Sequence, residues 1–95
     1  METETGKLKK PEKQLVLVTE DDDLNYAYLE KALKRLSISV IRAHNGREAI
    51  NICRENTRIG LIIMDIKMPV MDGWTAIRKI KSLRPELPVF VVTAY

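Results

Sequence analysis

Leu61-Ile62-Ile63-Met64-Asp65-Ile66-Lys67-Met68-Pro69-Val70-Met71-Asp72-Gly73 runs from an apolar segment into one carboxylate, then through a proline turn to an Asp-Gly pair. The apolar part reads as a buried strand and the Asp-Gly as the opening of a helix. Asp65 is thereby lifted to the strand's C-terminal edge, where ligands bind in open α/β sheets. A second acidic group, Glu20-Asp21-Asp22-Asp23, follows another apolar run, Leu15 to Val18. Two strand ends tipped with acid point to one carboxylate-lined metal site, with the chemistry centred on Asp65.

Outward from these two segments the chain alternates. Residues 1–13 are polar and charged and read as a flexible tail, leaving 14–95 as the folded domain. Leu15 to Val18 is apolar enough for a central parallel strand. From Asp23 to about Leu36 the period is helical, with Leu29, Ala32, Leu33 and Leu36 sharing a face and Asp22 or Asp23 capping the start. Ile38 to Ala43 reads as a second strand and Asn45-Gly46 as a turn. A helix follows from Arg47 to about Asn56, with Ala49, Ile50 and Cys53 inward. The third strand is expected over Leu61 to Asp65. A third helix should start at Asp72 or Gly73 and run to Leu83, with Ile77 and Ile80 inward. Val89-Phe90-Val91-Val92 reads as a fourth buried strand. The resulting β-α-β-α-β-α-β order implies parallel strands joined by right-handed crossovers, hence a doubly wound α/β sheet.

Composition narrows the function classes. Ninety-five residues, 45% of them hydrophobic, suffice for one small core. The net charge of +3 makes the acidic cluster a local feature rather than a compositional one. Basic residues such as Arg54, Arg78 and Arg84 are scattered without interleaved aromatics. They read as solvated helix faces, which argues against a nucleic-acid surface. The single cysteine, Cys53, excludes an intrachain disulfide and fits a reducing, cytoplasmic setting. No apolar run approaches the roughly 20 residues of a membrane span. His44 reads as a surface residue. With one His and one Cys, a zinc hydrolase is excluded.

The ordered set Glu20-Asp21, Met64-Asp65-Ile66-Lys67-Met68-Pro69, Asp72-Gly73 and Thr93-Ala94 resembles the receiver domain of two-component response regulators, including receivers attached to hybrid histidine kinases. The resemblance implies a flavodoxin-like fold with strand order 2-1-3-4-5. By the same resemblance Asp65 is the phosphoryl acceptor and Thr93 the switch hydroxyl. Asp21 and Asp65 bind Mg²⁺ directly, Glu20 acts through water, and the backbone carbonyl of Lys67 adds a ligand. The implied partner is a histidine kinase or a histidine phosphotransfer domain. Elementary chemistry agrees, since a carboxylate can attack phosphorus to form an acyl phosphate and a hard cation offsets the phosphoryl charge.

The sequence departs from that family at its end. A complete receiver continues past the fourth strand through a helix, a fifth strand and a further helix, and supplies a lysine for the phosphoryl group there. No lysine follows the fourth strand in this sequence. The expectation is therefore a receiver truncated after the fourth strand, with an apolar edge that favours self-association through that strand or the first helix. The alternative function is a phosphorylation-incompetent fragment acting only as an interaction or oligomerisation module. A phosphohydrolase with an Asp nucleophile is disfavoured, because Lys67 stands where that chemistry wants a second acid.

Overall fold

The computed structural model describes residues 15–68 and 70–92. The elements are β1 (Leu15–Thr19), α1 (Asp23–Arg35), β2 (Ser39–Ala43), α2 (Gly46–Glu55), β3 (Ile59–Asp65), α3 (Gly73–Leu83) and β4 (Val89–Val92). The four strands form one parallel sheet in the order β2-β1-β3-β4. The sheet is thus doubly wound and, among the described residues, four-stranded. Strand β3 begins at Ile59, two residues ahead of the sequence expectation, because Ile59 pairs with Leu15 of β1 across a register shift; Arg84 also donates to the Ile59 carbonyl at 2.8 Å.

The sheet's two faces are covered differently. On one, Leu17, Ile62 and Met64 pack with Ala49, Ile50 and Cys53 of α2 and Ala76 and Ile80 of α3. On the other, among the described residues, Val16, Val18 and Ile63 meet the half-buried Tyr26, Leu29 and Leu33 of α1, flanked by Ile38, Val40, Leu61 and Val92. The α1 face was expected to include Ala32 and Leu36, but both are exposed. Helical rotation puts Tyr26, Leu29 and Leu33 over the sheet in their place, at spacings of three and four residues. No residue of α1 is fully buried.

Three other expectations change. Asn45-Gly46 is a helix start rather than a free turn: Asn45 caps α2 by accepting from the Glu48 amide at 2.9 Å. A Cβ at Gly46 would come within 3.0 Å of the Ala76 Cβ, so glycine is what lets α2 and α3 approach. Val89–Val92 is only partly buried where its apolar run predicted burial: it lies at the sheet's edge among the described residues, as expected, and leaves Phe90 62% exposed. Arg84 is half-buried and ties α3 to the Asn56 and Ile59 carbonyls, so it is no solvated helix-face residue. Burial raises the Cys53 thiol to about 11, which keeps it unreactive as expected of a core cysteine.

Candidate metal centre

The order β2-β1-β3 brings the two acidic segments together. Thr19 is opposite Met64 in the parallel register, so Glu20 and Asp65 are the next residues along two adjacent strands. One carboxylate oxygen from each of Glu20, Asp21 and Asp65 lies within 4.8 Å of the others. Glu20 and Asp65 are buried, 3% and 5% exposed, and Asp21 faces solvent. Burial, together with the nearby Asp65 and Asp21 charges, pushes the Glu20 carboxyl up to about 6, against the Asp22 amide that favours its ionised form.

Neighbouring backbone holds each acid in place. The Glu20 side chain accepts from the Asp22 amide at 3.3 Å, and its own amide donates to the Ala43 carbonyl at 3.0 Å. Asp22 caps α1 by accepting from the Asn25 amide at 2.9 Å, which assigns it to the helix start and leaves Asp21 for the site. Asp65 accepts from the Lys67 amide at 3.0 Å, which fixes the turn of the carboxylate. Lys67 is an exposed residue whose backbone amide bonds the cluster directly.

The loop after Asp65 closes on the glycine of the Asp-Gly pair. The Gly73 amide donates to the Ile66 carbonyl at 3.2 Å, and a Cβ at Gly73 would lie 2.6 Å from the Ile66 Cα and 2.7 Å from the Asp65 carbonyl oxygen. No L side chain fits there without moving Asp65. Asp72 is the N-cap of α3, accepting from the Thr75 amide at 2.9 Å. Between Asp65 and Asp72, Val70 has φ 74°, a left-handed conformation that costs a β-branched residue about 1–2 kcal/mol. The Gly73 contact and the Asp72 cap are what over-determine this loop.

The donor chemistry suits a small hard cation. Three convergent carboxylates repel one another when ionised, and oxygen donors on rigid strand ends with one acid open to water match the few-carboxylate, water-retaining coordination of Mg²⁺. A hollow of about 190 Å³ lined by Glu20, Asn25, Tyr28, Leu29, Asp65 and Val92 opens beside the acids. A larger hollow of about 410 Å³ between the end of α1 and β2 is lined by Glu30, Lys34 and Ser37 to Val40 and lacks convergent acids. Size alone therefore does not locate the site.

Of the residues singled out from sequence, Glu20, Asp21 and Asp65 meet, and Lys67 adjoins them. Thr93 lies outside the described residues. Sequence reasoning missed Arg42, whose guanidinium donates to the Glu20 carbonyl from Nε at 3.1 Å and Nη2 at 3.0 Å. The available signal was a lone charge in an otherwise uncharged strand. His44 is exposed, as expected, and contacts Glu48. Thr19 Oγ1, beneath the site, is buried with no hydrogen-bond partner among the described residues.

Comparison with known proteins gives a consistent picture. The response regulator receiver domain family matches residues 16–95. The chain is 33% identical over 78 residues to the autoinducer 1 sensor kinase/phosphatase LuxN of Vibrio campbellii, an overlap of 82% of this chain and 9% of that protein. It superposes on a response regulator receiver protein from Pseudomonas putida with a TM-score of 0.82 and 33% identity, over 88% of this chain and 70% of that one. The receiver domain of the sensor histidine kinase PA1611 from Pseudomonas aeruginosa, solved with a magnesium ion coordinated in its active-site cleft, matches with a TM-score of 0.81 and 30% identity, over 85% of this chain and 67% of that one.

Proposed function

This chain belongs to the response regulator receiver family of two-component systems, and we propose that it is a phosphoacceptor module of a phosphorelay with Asp65 as the acceptor. The observation that carries this reading is the buried Asp65 carboxylate at the end of β3, with Glu20 and Asp21 oxygens within 4.8 Å. The magnesium coordinated in the active-site cleft of the Pseudomonas aeruginosa receiver supports assigning a cation to the acid cluster here. Glu20, Asp21, Asp65 and the Lys67 carbonyl would hold it, with Glu20 acting through water. When bound, such an ion offsets charge on the phosphoryl oxygens.

The chain's own residues do the rest. An Asp65 carboxylate oxygen forms the new bond to phosphorus, and the imidazole nitrogen of a phosphohistidine leaves with the electron pair of the broken P–N bond. The Lys67 amide on Asp65 orients the nucleophile. Thr93 is proposed as the switch hydroxyl that reads the product. The donor is a histidine kinase or a histidine phosphotransfer domain, and a hybrid kinase is one setting in which the module would serve. Among the described residues, no helix is long and apolar enough to cross a membrane; we propose a cytoplasmic site of action.

Intact mass after incubation with Mg²⁺ and a small acyl-phosphate donor tests this directly. A single phosphoryl adduct is expected in the wild type and none in Asp65→Asn. A folded wild-type protein that takes no adduct, or an adduct that persists in Asp65→Asn, would sink the assignment.

One observation favours a second reading, an interaction module that self-associates through β4 or α1. Phe90 and Val91 are exposed on β4, whose outer edge pairs with no described strand, and Leu24 and Tyr28 on α1 and Leu36 at its C-cap are exposed too. Unpaired apolar edges of this kind invite strand addition. Light scattering at micromolar concentration should then show dimers or larger species that Phe90→Lys disperses. A clean monomer would end this reading.

A further inference from the structure

We propose that Arg42 is a positioning residue for the acid cluster, acting through the Glu20 backbone; the proposal rests on the reading of Glu20, Asp21 and Asp65 as a cation site. Arg42 stands on β2 opposite Val18, two residues short of Glu20. Its side chain, 16% exposed, spans the whole connection from β1 to α1. Nε and Nη2 donate to the Glu20 carbonyl at 3.1 and 3.0 Å, and Nη1 reaches Asp23 Oδ1 at 2.9 Å. The guanidinium carbon lies 4.5 Å from the Tyr26 ring centroid.

The geometry says which of these contacts matters. The Glu20 carbonyl belongs to the peptide joining Glu20 to Asp21, and the Glu20 amide is already held by the Ala43 carbonyl at 3.0 Å. The Glu20 backbone is therefore held to β2 on both sides of its Cα, by its amide and by its carbonyl, and the carbonyl's anchor also restrains the peptide that leads to Asp21. A forked, charge-assisted pair on one carbonyl is strong and directional. The Asp23 contact is weak by comparison, because Asp23 is almost fully exposed. Lysine would keep the charge but lose the fork.

A positioning role and a purely electrostatic one predict opposite signs. Through space, a guanidinium beside a cation site repels the cation, so its removal would tighten Mg²⁺ binding. If Arg42 orders the ligands, its removal weakens binding. A residue that merely shields the core would change thermal stability and leave the affinity of the folded protein alone.

Arg42→Gln and Arg42→Lys, compared with the wild-type chain by calorimetric Mg²⁺ titration and by amide exchange without metal, decide the matter. Arg42→Gln should weaken Mg²⁺ by about tenfold, the low end of what losing an outer support costs a metal site, and Arg42→Lys should fall between. The Glu20 and Asp22 amides should exchange faster in Arg42→Gln with no metal present. Unchanged or tighter Mg²⁺ binding in folded Arg42→Gln overturns the proposal. If that variant does not fold, Arg42→Lys decides by the same criterion: a several-fold loss supports positioning and wild-type affinity overturns it. If the wild-type chain binds no Mg²⁺, the cation reading fails on its own. The clamp on the loop is then judged by exchange, where unchanged protection of the Glu20 and Asp22 amides overturns it.

Discussion

The two faces of the sheet are built from the same strands and similar residues, yet they are buried to different depths. Under α2 and α3, Leu17, Ile62, Met64, Ala76 and Ile80 lose all contact with water. Under α1, the strand residues Val16, Val18 and Ile63 are buried, while every helix residue that covers them keeps some exposure. Two helices that interlock through Gly46 and Ala76 seal a face, and one helix alone does not. On the α1 side, much of the fixing of the loop is polar: the Asp22 cap, the Arg42 fork and the Tyr26 contact. The acid cluster lies at the seam. Asp65 hangs from the sealed side through Gly73, whereas Glu20 and Asp21 hang from the open side through Arg42.

The comparison can be broken most directly by matched truncations. Ile80→Ala on the sealed face should cost about 4 kcal/mol, because the removed atoms leave a cavity that α2 and the sheet cannot fill. Leu33→Ala on the open face should cost about 1.5 kcal/mol, since half of that side chain's transfer free energy is already forgone to water. Urea unfolding midpoints give both values. Equal losses at the two positions would show that the faces contribute alike and that the difference in burial has no energetic weight.

The smallest effect sharpens the seam itself. Glu20 ionises near 6 in the folded chain against an ordinary 4.5, so the folded state binds a proton more readily than the unfolded one. The sign follows: the ionised group penalises folding above the folded value, and the metal-free protein gains about 1 kcal/mol from this group as pH falls from about 7 to about 5. Mg²⁺ should oppose this trend, because protons and cation compete for the same carboxylate. Wild type minus Glu20→Gln, each unfolded by urea across that range with chelator, isolates the contribution. A difference independent of pH would show that Glu20 is not the group that titrates.

Much of this was legible in the chain because the signals are local. Ala49, Ile50 and Cys53 were placed inward from their period and are buried, and Val89–Val92 was placed as a strand from its apolar run, although its burial was overread. The orientation of α1 was not legible. Leu29, Ala32, Leu33 and Leu36 fit one helical face as well as Tyr26, Leu29 and Leu33 do, and only the position of the sheet chooses between them. Arg84 was misread for a similar reason. Its carbonyl partners, Asn56 and Ile59, are more than twenty residues away and appear only after α3 has docked.

Sequence by itself determined the order of the elements and the placing of acids at the ends of two apolar runs, because strand formation and capping depend on near neighbours. It also held the Asp72-Gly73 pair, although the reason for that glycine, a backbone approach of 2.6 Å, shows only in three dimensions. Tertiary structure decided that β1 and β3 are adjacent, which turns two separate acids into one cluster. It also decided that a charge on β2 secures the loop that carries two of them. Long-range pairing sets those relations, and no local pattern encodes which strand will lie beside which.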